Sequence, residues 1–219
     1  MNAIHAAREL LIKQNITSFK SEPRTMKHDM KIVFYTFEEY AKITGYTVER
    51  KHFPDGFTMI RHGMYTVLTH EVPSMSLHRS TSSSGAGKSR NSEVLRQRWT
   101  LAHEVGHVYL GHAFNGQAQE REANTFAGEL LLPELVLLEL RRQLRRELSV
   151  GEVARLFGVS QSAAECRLRQ IGRRSAFSPY LKEELMAKYE RLIAEYTDMV
   201  GTPMVSALIQ NAERNRASW

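Results

Sequence analysis

The pentapeptide His103-Glu104-Val105-Gly106-His107 constrains this chain more than any other stretch. It lies within Val94 to Leu110, where Trp99, Leu101, Ala102, Val105, Val108 and Leu110 are apolar almost all round a helix, so the spacing predicts a buried helix. Residues i and i+4 of a helix share a face, so both imidazoles point the same way and can hold one metal ion. Two His and a Glu removed from water need partners, and a metal supplies them. Zinc (Zn2+) suits such a pair because it takes imidazole nitrogen at roughly 2.0–2.1 Å in a tetrahedral shell. Glu104 lies about 100° round the helix. Its carboxylate therefore falls beside a metal rather than on it, where a general base takes a proton from a bound water. Gly106 removes a side chain next to the pair, and Gly111 is a C-terminal stop.

A third protein ligand is required for a site with one open position. His112 does not fit the extended pattern His-Glu-x-x-His-x-x-Gly-x-x-His, because Leu110 and Ala113 stand where Gly and His are needed. The next helical stretch, Glu120 to Leu131, is a better source. Its apolar stripe is Ala123, Ala127, Leu130 and Leu131. At about 100° per residue Glu120 falls inside that stripe and Glu122 nearly opposite. Glu120 is therefore the third candidate ligand, Asn124 a residue that can orient a ligand His, and Glu122 a solvated surface charge.

Together, Arg98-Trp99-Thr100-Leu101-Ala102-His103-Glu104-Val105-Gly106-His107, Glu120-Arg121-Glu122-Ala123-Asn124-Thr125-Phe126-Ala127 and Leu130-Leu131-Leu132-Pro133 resemble the ImmA/IrrE metallopeptidases. The resemblance is close over Arg96 to Pro133 and loose over Ala3 to Gly172. It implies a cytoplasmic zinc protease of bacterial or phage origin that cleaves a helix-turn-helix transcriptional repressor and so releases genes of a mobile element or stress response. It also implies that His103, His107 and Glu120 bind the metal and that Glu104 is the general base. Two departures stand out. A Ser-rich stretch occupies the place where the family often has a strand, and nothing resembles the extra C-terminal sensor domain of some members.

With 219 residues, 42% of them hydrophobic, the chain can build one peptidase domain and a helical extension. A single cysteine, Cys166, excludes an internal disulfide and suits a reducing cytosol. Met1 to Leu11 does not read as a signal peptide, and Leu130 to Leu140, broken by Pro133 and Glu134, is too short to span a membrane. The net charge is +6, and Arg141 to Arg174 alone holds nine Arg against three Glu. That segment can face an acidic partner or nucleic acid, or be a solvated helix face; the expectation is that it helps hold the protein substrate and does not read DNA.

In chain order, Ile4, Ala7, Leu10 and Leu11 predict an amphipathic helix to about Gln14. Lys31 to Tyr35 is β-rich, Phe37 to Thr44 reads as a helix stopped by Gly45, and Tyr46 to Lys51 alternates like a strand. Phe57 to Ile60 and Met64 to Thr69 form a hairpin around Arg61-His62-Gly63, after an Asp55-Gly56 turn. An edge strand of such a sheet can present an extended peptide to the metal. Ser74 to Ser92 reads as a loop. Its Ser82 to Ser89 segment is not a phosphate-binding loop, since Ser82 replaces the first glycine and no apolar strand precedes it. Beyond Pro133 the chain is helical. Leu148 to Gly172 has helix-turn-helix features around Gly158-Val159-Ser160, although Arg167 stands where an apolar residue is usual. Phe177 to Met199 and Met204 to Arg214 read as two further helices.

The expected fold is α+β: a small mixed sheet with a zinc-binding active-site helix, followed by a helical C-terminal subdomain. The expected domains are a zincin-like peptidase over residues 1–135 and a helical subdomain over 136–219 containing the helix-turn-helix-like segment 148–172. The leading function is repressor cleavage by a zinc endopeptidase. The alternatives are a DNA- or repressor-binding regulator and a toxin–antitoxin partner, each with a silent peptidase site. Tyr109 and His112 are near enough in sequence to be considered as oxyanion donors, and neither is favoured.

Overall fold

The computed structural model describes residues 2–48, 55–61, 63–70, 86–113, 116–173 and 178–201. Its elements are α1 (Ala3–Ile12), β1 (Ile32–Thr36), α2 (Phe37–Thr44), β2 (Gly56–Arg61), β3 (Met64–Thr69), α3 (Ala86–Leu110), α4 (Gln117–Leu131), α5 (Glu134–Leu144), α6 (Val150–Phe157), α7 (Gln161–Arg173) and α8 (Lys182–Gly201). The α+β class and the mixed sheet are as expected.

Local chemistry sets several boundaries. Asn2 caps α1 by accepting from the backbone N–H of Ile4. Thr36 and Glu39 form a reciprocal capping box at the start of α2, and Gly45, at φ 73°, ends it. Ser149 and Glu152 do the same for α6, which Gly158 ends at φ 61°. Arg98 reinforces that stop by donating to the carbonyls of Phe157 and Gly158. A cation against the last carbonyls of a helix is favourable to its dipole.

The sheet has the order β1-β3-β2, with β1 parallel and β2 antiparallel to the central β3. Successive β3 side chains point to opposite faces. Leu68 packs with Phe37 and Tyr40 of α2, while Val67 packs with Leu101 and Val108 of α3. The sheet is thus covered by α2 on one face and by the motif helix on the other. The far side of α3, Ala102, Val105 and Tyr109, joins a larger core shared with α1 and α4 to α8 that includes Leu10, Phe126, Leu137, Phe157 and Tyr189. No helix among the described residues is long and apolar enough to cross a membrane.

Some expectations fail. Tyr46 to Val48 is irregular rather than strand, and the rest of that stretch lies outside the described residues. Ala86 to Ser92, read as loop, is the first part of α3. Asn91 to Val94 are exposed there, so no apolar stripe announces this part; extending a helix already nucleated by its buried half is easy. Glu71 to Gly85 and Thr202 onward, including Met204 to Arg214, lie outside the described residues. Helix α8 starts at Lys182 and not near Phe177, since Pro179 disfavours helical geometry at Ser178.

Arg167 is the largest correction. It is not available to hold a protein substrate but is buried, with 4% of its side chain exposed. It donates to the carbonyl of Leu132 at 2.9 Å and to Glu129, which is fully buried and also takes the guanidinium of Arg8 at 2.7 Å. The inward position that a helix-turn-helix fills with an apolar side chain is filled here by one arm of an ion triad. Arg169, two residues on, is exposed.

Candidate metal centre

Helix α3 carries His103, Glu104 and His107, and α4 brings Glu120 to them. The approach depends on Gly106. A Cβ there would lie 3.1 Å from Phe126 Cδ1 and 3.2 Å from the Ala123 backbone, so a side chain would push the two helices apart by a few tenths of an ångström.

The four sequence candidates come together. His103 Nε2 and His107 Nε2 are 3.0 Å apart, His103 Nε2 is 3.1 Å from Glu120 Oε2, and His107 Nε2 is 3.4 Å from Glu120 Oε1. Two ligands held at roughly 2.0–2.1 Å in a tetrahedral shell lie about 3.3–3.4 Å from each other. The observed spacings bracket that value, so the three side chains fit one small divalent ion. Burial holds the pKa of His103 below its ordinary value and that of His107 down to about 4, helped by the neighbouring His103. Both imidazoles are therefore neutral near pH 7, the form that binds a metal.

Asn124 supports this arrangement in the way its position suggested. Its Nδ2 donates to the carbonyl of Glu120 at 2.9 Å, which turns Oδ1 toward His103 Nδ1 at 3.2 Å. A carbonyl oxygen only accepts, so His103 must donate from Nδ1. Its one remaining lone pair then sits on Nε2, facing His107 and Glu120.

Glu104 is buried beside these donors. Burial pushes its carboxyl up to about 7, and the nearby Glu120 charge adds to this, while the hydrogen bond from Thr58 opposes it. Thr58 Oγ1, on β2, donates to Glu104 Oε2 at 2.5 Å. Strand β2 approaches α3 closely because residue 56 is glycine: a Cβ there would fall 2.6 Å from Thr100 Cγ2 and 3.3 Å from Glu104 Cγ. Among the described residues β3 is the one strand that pairs with β2, which stands at the edge of the sheet order.

Sequence reasoning missed Thr58, because nothing in the strand Phe57 to Ile60 marks it apart from its neighbours. It also took Glu122 as merely solvated. The side chain is 56% exposed, yet its Oε2 lies 3.1 Å from His112 Nε2, and His112 Nδ1 lies 3.0 Å from His107 Nδ1. His112 thus stands behind a candidate ligand and not at the metal position. Tyr109 points away from the site: it is buried against Phe126, with its hydroxyl 3.3 Å from His28 Nδ1.

Residues 89–169 match the family model of the IrrE N-terminal-like domain, a peptidase family. No curated protein and no solved structure gave a match.

Proposed function

We propose that this chain, whose residues 89–169 match the IrrE N-terminal-like domain family of peptidases, is a zinc-dependent endopeptidase that cleaves a helix-turn-helix transcriptional repressor in the cytoplasm. The observation that carries the reading is the convergence of His103, His107 and Glu120 on one point with the buried Glu104 alongside. The repressor as substrate rests on the resemblance of Arg98 to His107 and Glu120 to Ala127 to the ImmA/IrrE blocks.

His103 Nε2, His107 Nε2 and one Glu120 oxygen would hold the zinc ion. When bound, zinc supplies a Lewis acid that acidifies water and polarises a carbonyl. Glu104 supplies the base. Its Oε2 is held by Thr58, which leaves Oε1 to take the proton of the attacking water and return it to the leaving amine. A carboxyl whose pKa lies close to the working pH does both halves of that transfer well. Strand β2, at the edge of the described sheet and bonded to Glu104 through Thr58, is the element beside which an extended substrate would lie.

Two facts weigh against the DNA-reading alternative. Arg167 is turned into the core. Arg141, Arg142 and Arg146 are each paired with a carboxylate, on Glu147, Glu139 and Glu152, which lowers the charge that this part of the segment presents to phosphates.

The test is metal content and cleavage together. Wild type should carry about one zinc per chain, and His103→Ala and His107→Ala should carry none. Glu104→Gln should keep the metal and lose cleavage of a helix-turn-helix repressor that the wild type cleaves. Equal zinc in wild type and both histidine variants refutes the metal site. Full cleavage by Glu104→Gln refutes the role of the base.

A further inference from the structure

The contacts behind His107 form a directed chain. Gly111, at φ 66°, reverses the backbone at the end of α3, with its N–H on the carbonyl of Val108 and the N–H of His112 on the carbonyl of His107. This is the Schellman arrangement, in which a left-handed residue folds the chain back over the last turn. It brings the His112 ring, only 7% exposed, against His107, with the rings 4.9 Å apart at 75°. His112 Nδ1 faces His107 Nδ1 at 3.0 Å, and His112 Nε2 faces Glu122 Oε2 at 3.1 Å.

A neutral imidazole has one N–H and one lone pair. A carboxylate only accepts, so His112 must place its proton on Nε2 toward Glu122. Its Nδ1 is then an acceptor. The 3.0 Å contact consequently requires His107 to donate from Nδ1, and the lone pair of His107 is left on Nε2, the atom aimed at His103 and Glu120.

We infer that His112 and Glu122 are positioning residues which, through the hydrogen-bond chain His107 to His112 to Glu122, fix the tautomer of His107 that presents Nε2 to a divalent metal. The inference rests on the metal-site reading above. It pairs with the role of Asn124 at His103: each histidine has its Nδ1 proton held by a different device, so both Nε2 lone pairs are set before the ion arrives. Outer partners of this kind typically change metal affinity by about 10- to 100-fold. Glu122 lies on the opposite face of α4 from the apolar stripe, and it reaches the site only because His112 is folded back to meet it.

The experiment uses the full-length protein and zinc alone, titrated against a competing chelator, with His103→Ala as the control. His112→Leu and Glu122→Leu should each bind zinc about 10-fold or more weakly. Glu122→Gln, whose amide oxygen can still accept from His112, should stay close to wild type. In the metal-free protein, long-range 1H–15N spectra of the histidine rings should place the His107 proton on Nδ1 in wild type and in Glu122→Gln. In His112→Leu a population protonated on Nε2 should appear. A purely packing role would lower thermal stability without moving that signal. Wild-type affinity in both leucine variants, with zinc lost in His103→Ala, overturns the relay and leaves the metal site standing. Failure of wild type to bind zinc overturns both.

Discussion

Replacing Glu104 by Gln should stabilise the metal-free protein, and by an amount that grows with pH. Burial pushes the Glu104 carboxyl up to about 7 from an ordinary 4.5. The folded state therefore holds this proton more tightly than the unfolded chain does. The contribution is fully favourable below pH 4.5 and is lost as pH rises through 7. A shift of this size corresponds to about 3 kcal/mol when complete. Gln mimics the protonated acid in shape, accepts the same bond from Thr58 Oγ1, and cannot ionise. Relative to wild type, Glu104→Gln should therefore gain about 2–3 kcal/mol more at pH 8.5 than at pH 5. Other titrating groups, including His103 and His107, are common to both proteins and cancel in the difference. The assay is urea denaturation of both proteins in excess chelator at several pH values, with m-values checked for constancy. A stability difference independent of pH, or one that shrinks as pH rises, would refute the buried raised carboxyl.

Three further outcomes are expected. Glu120→Gln should weaken zinc binding in a chelator competition while Glu122→Gln leaves it near wild type, since only Glu120 reaches both histidines; the reverse order would mean that the helical phase of α4 is wrong. Gly106→Ala should weaken zinc by moving α4 outward, an overpacking cost of about 1–3 kcal/mol against Phe126 and Ala123 being offset in stability by about 1 kcal/mol of helix propensity; wild-type zinc affinity in a chelator competition would contradict the close approach. Glu129→Leu, which strands Arg8 and Arg167 in the core, should cost about 3–5 kcal/mol, more than Arg167→Met, which leaves the Arg8–Glu129 pair intact; calorimetry that ranks them the other way would refute the triad as described.

The parts of the fold visible in the sequence are those determined within a few residues. Helix α2 could be delimited from Thr36, Glu39 and Gly45 because its caps are its own neighbours. The hairpin β2–β3 and the stop at Gly111 were legible for the same reason. The metal candidates were legible because their spacing is helical: one turn separates His103 from His107, and the phase of the apolar stripe on α4 singles out Glu120 over Glu122. Thr58 was not, since its meaning comes from a strand packing on α3 forty-six residues away in sequence. Tyr46 to Val48 alternates in sequence but pairs with no strand among the described residues, and alternation without a partner does not make a sheet.

Arg167 shows why charge counts mislead at this level. Its excess looked like surface because Arg is seldom fully buried unless paired. The pair, however, is Glu129, a residue that from sequence alone looked like one more charge on α4. Only the packing of α7 against the end of α4 makes the two mutual, and Arg8 from α1 completes the group. One apparent surplus charge is thereby moved from a docking face to the joint between helices. Three more arginines of the basic segment, Arg141, Arg142 and Arg146, are paired with carboxylates, Arg146 with a buried Glu152 that also accepts from Tyr196. On the proposed function, substrate selection falls on the surfaces around β2 and α3, where Thr58 of the strand meets Glu104 of the helix. Transplanting the basic face onto a relative should not transfer target choice, whereas changes along Gly56 to Arg61 should alter it.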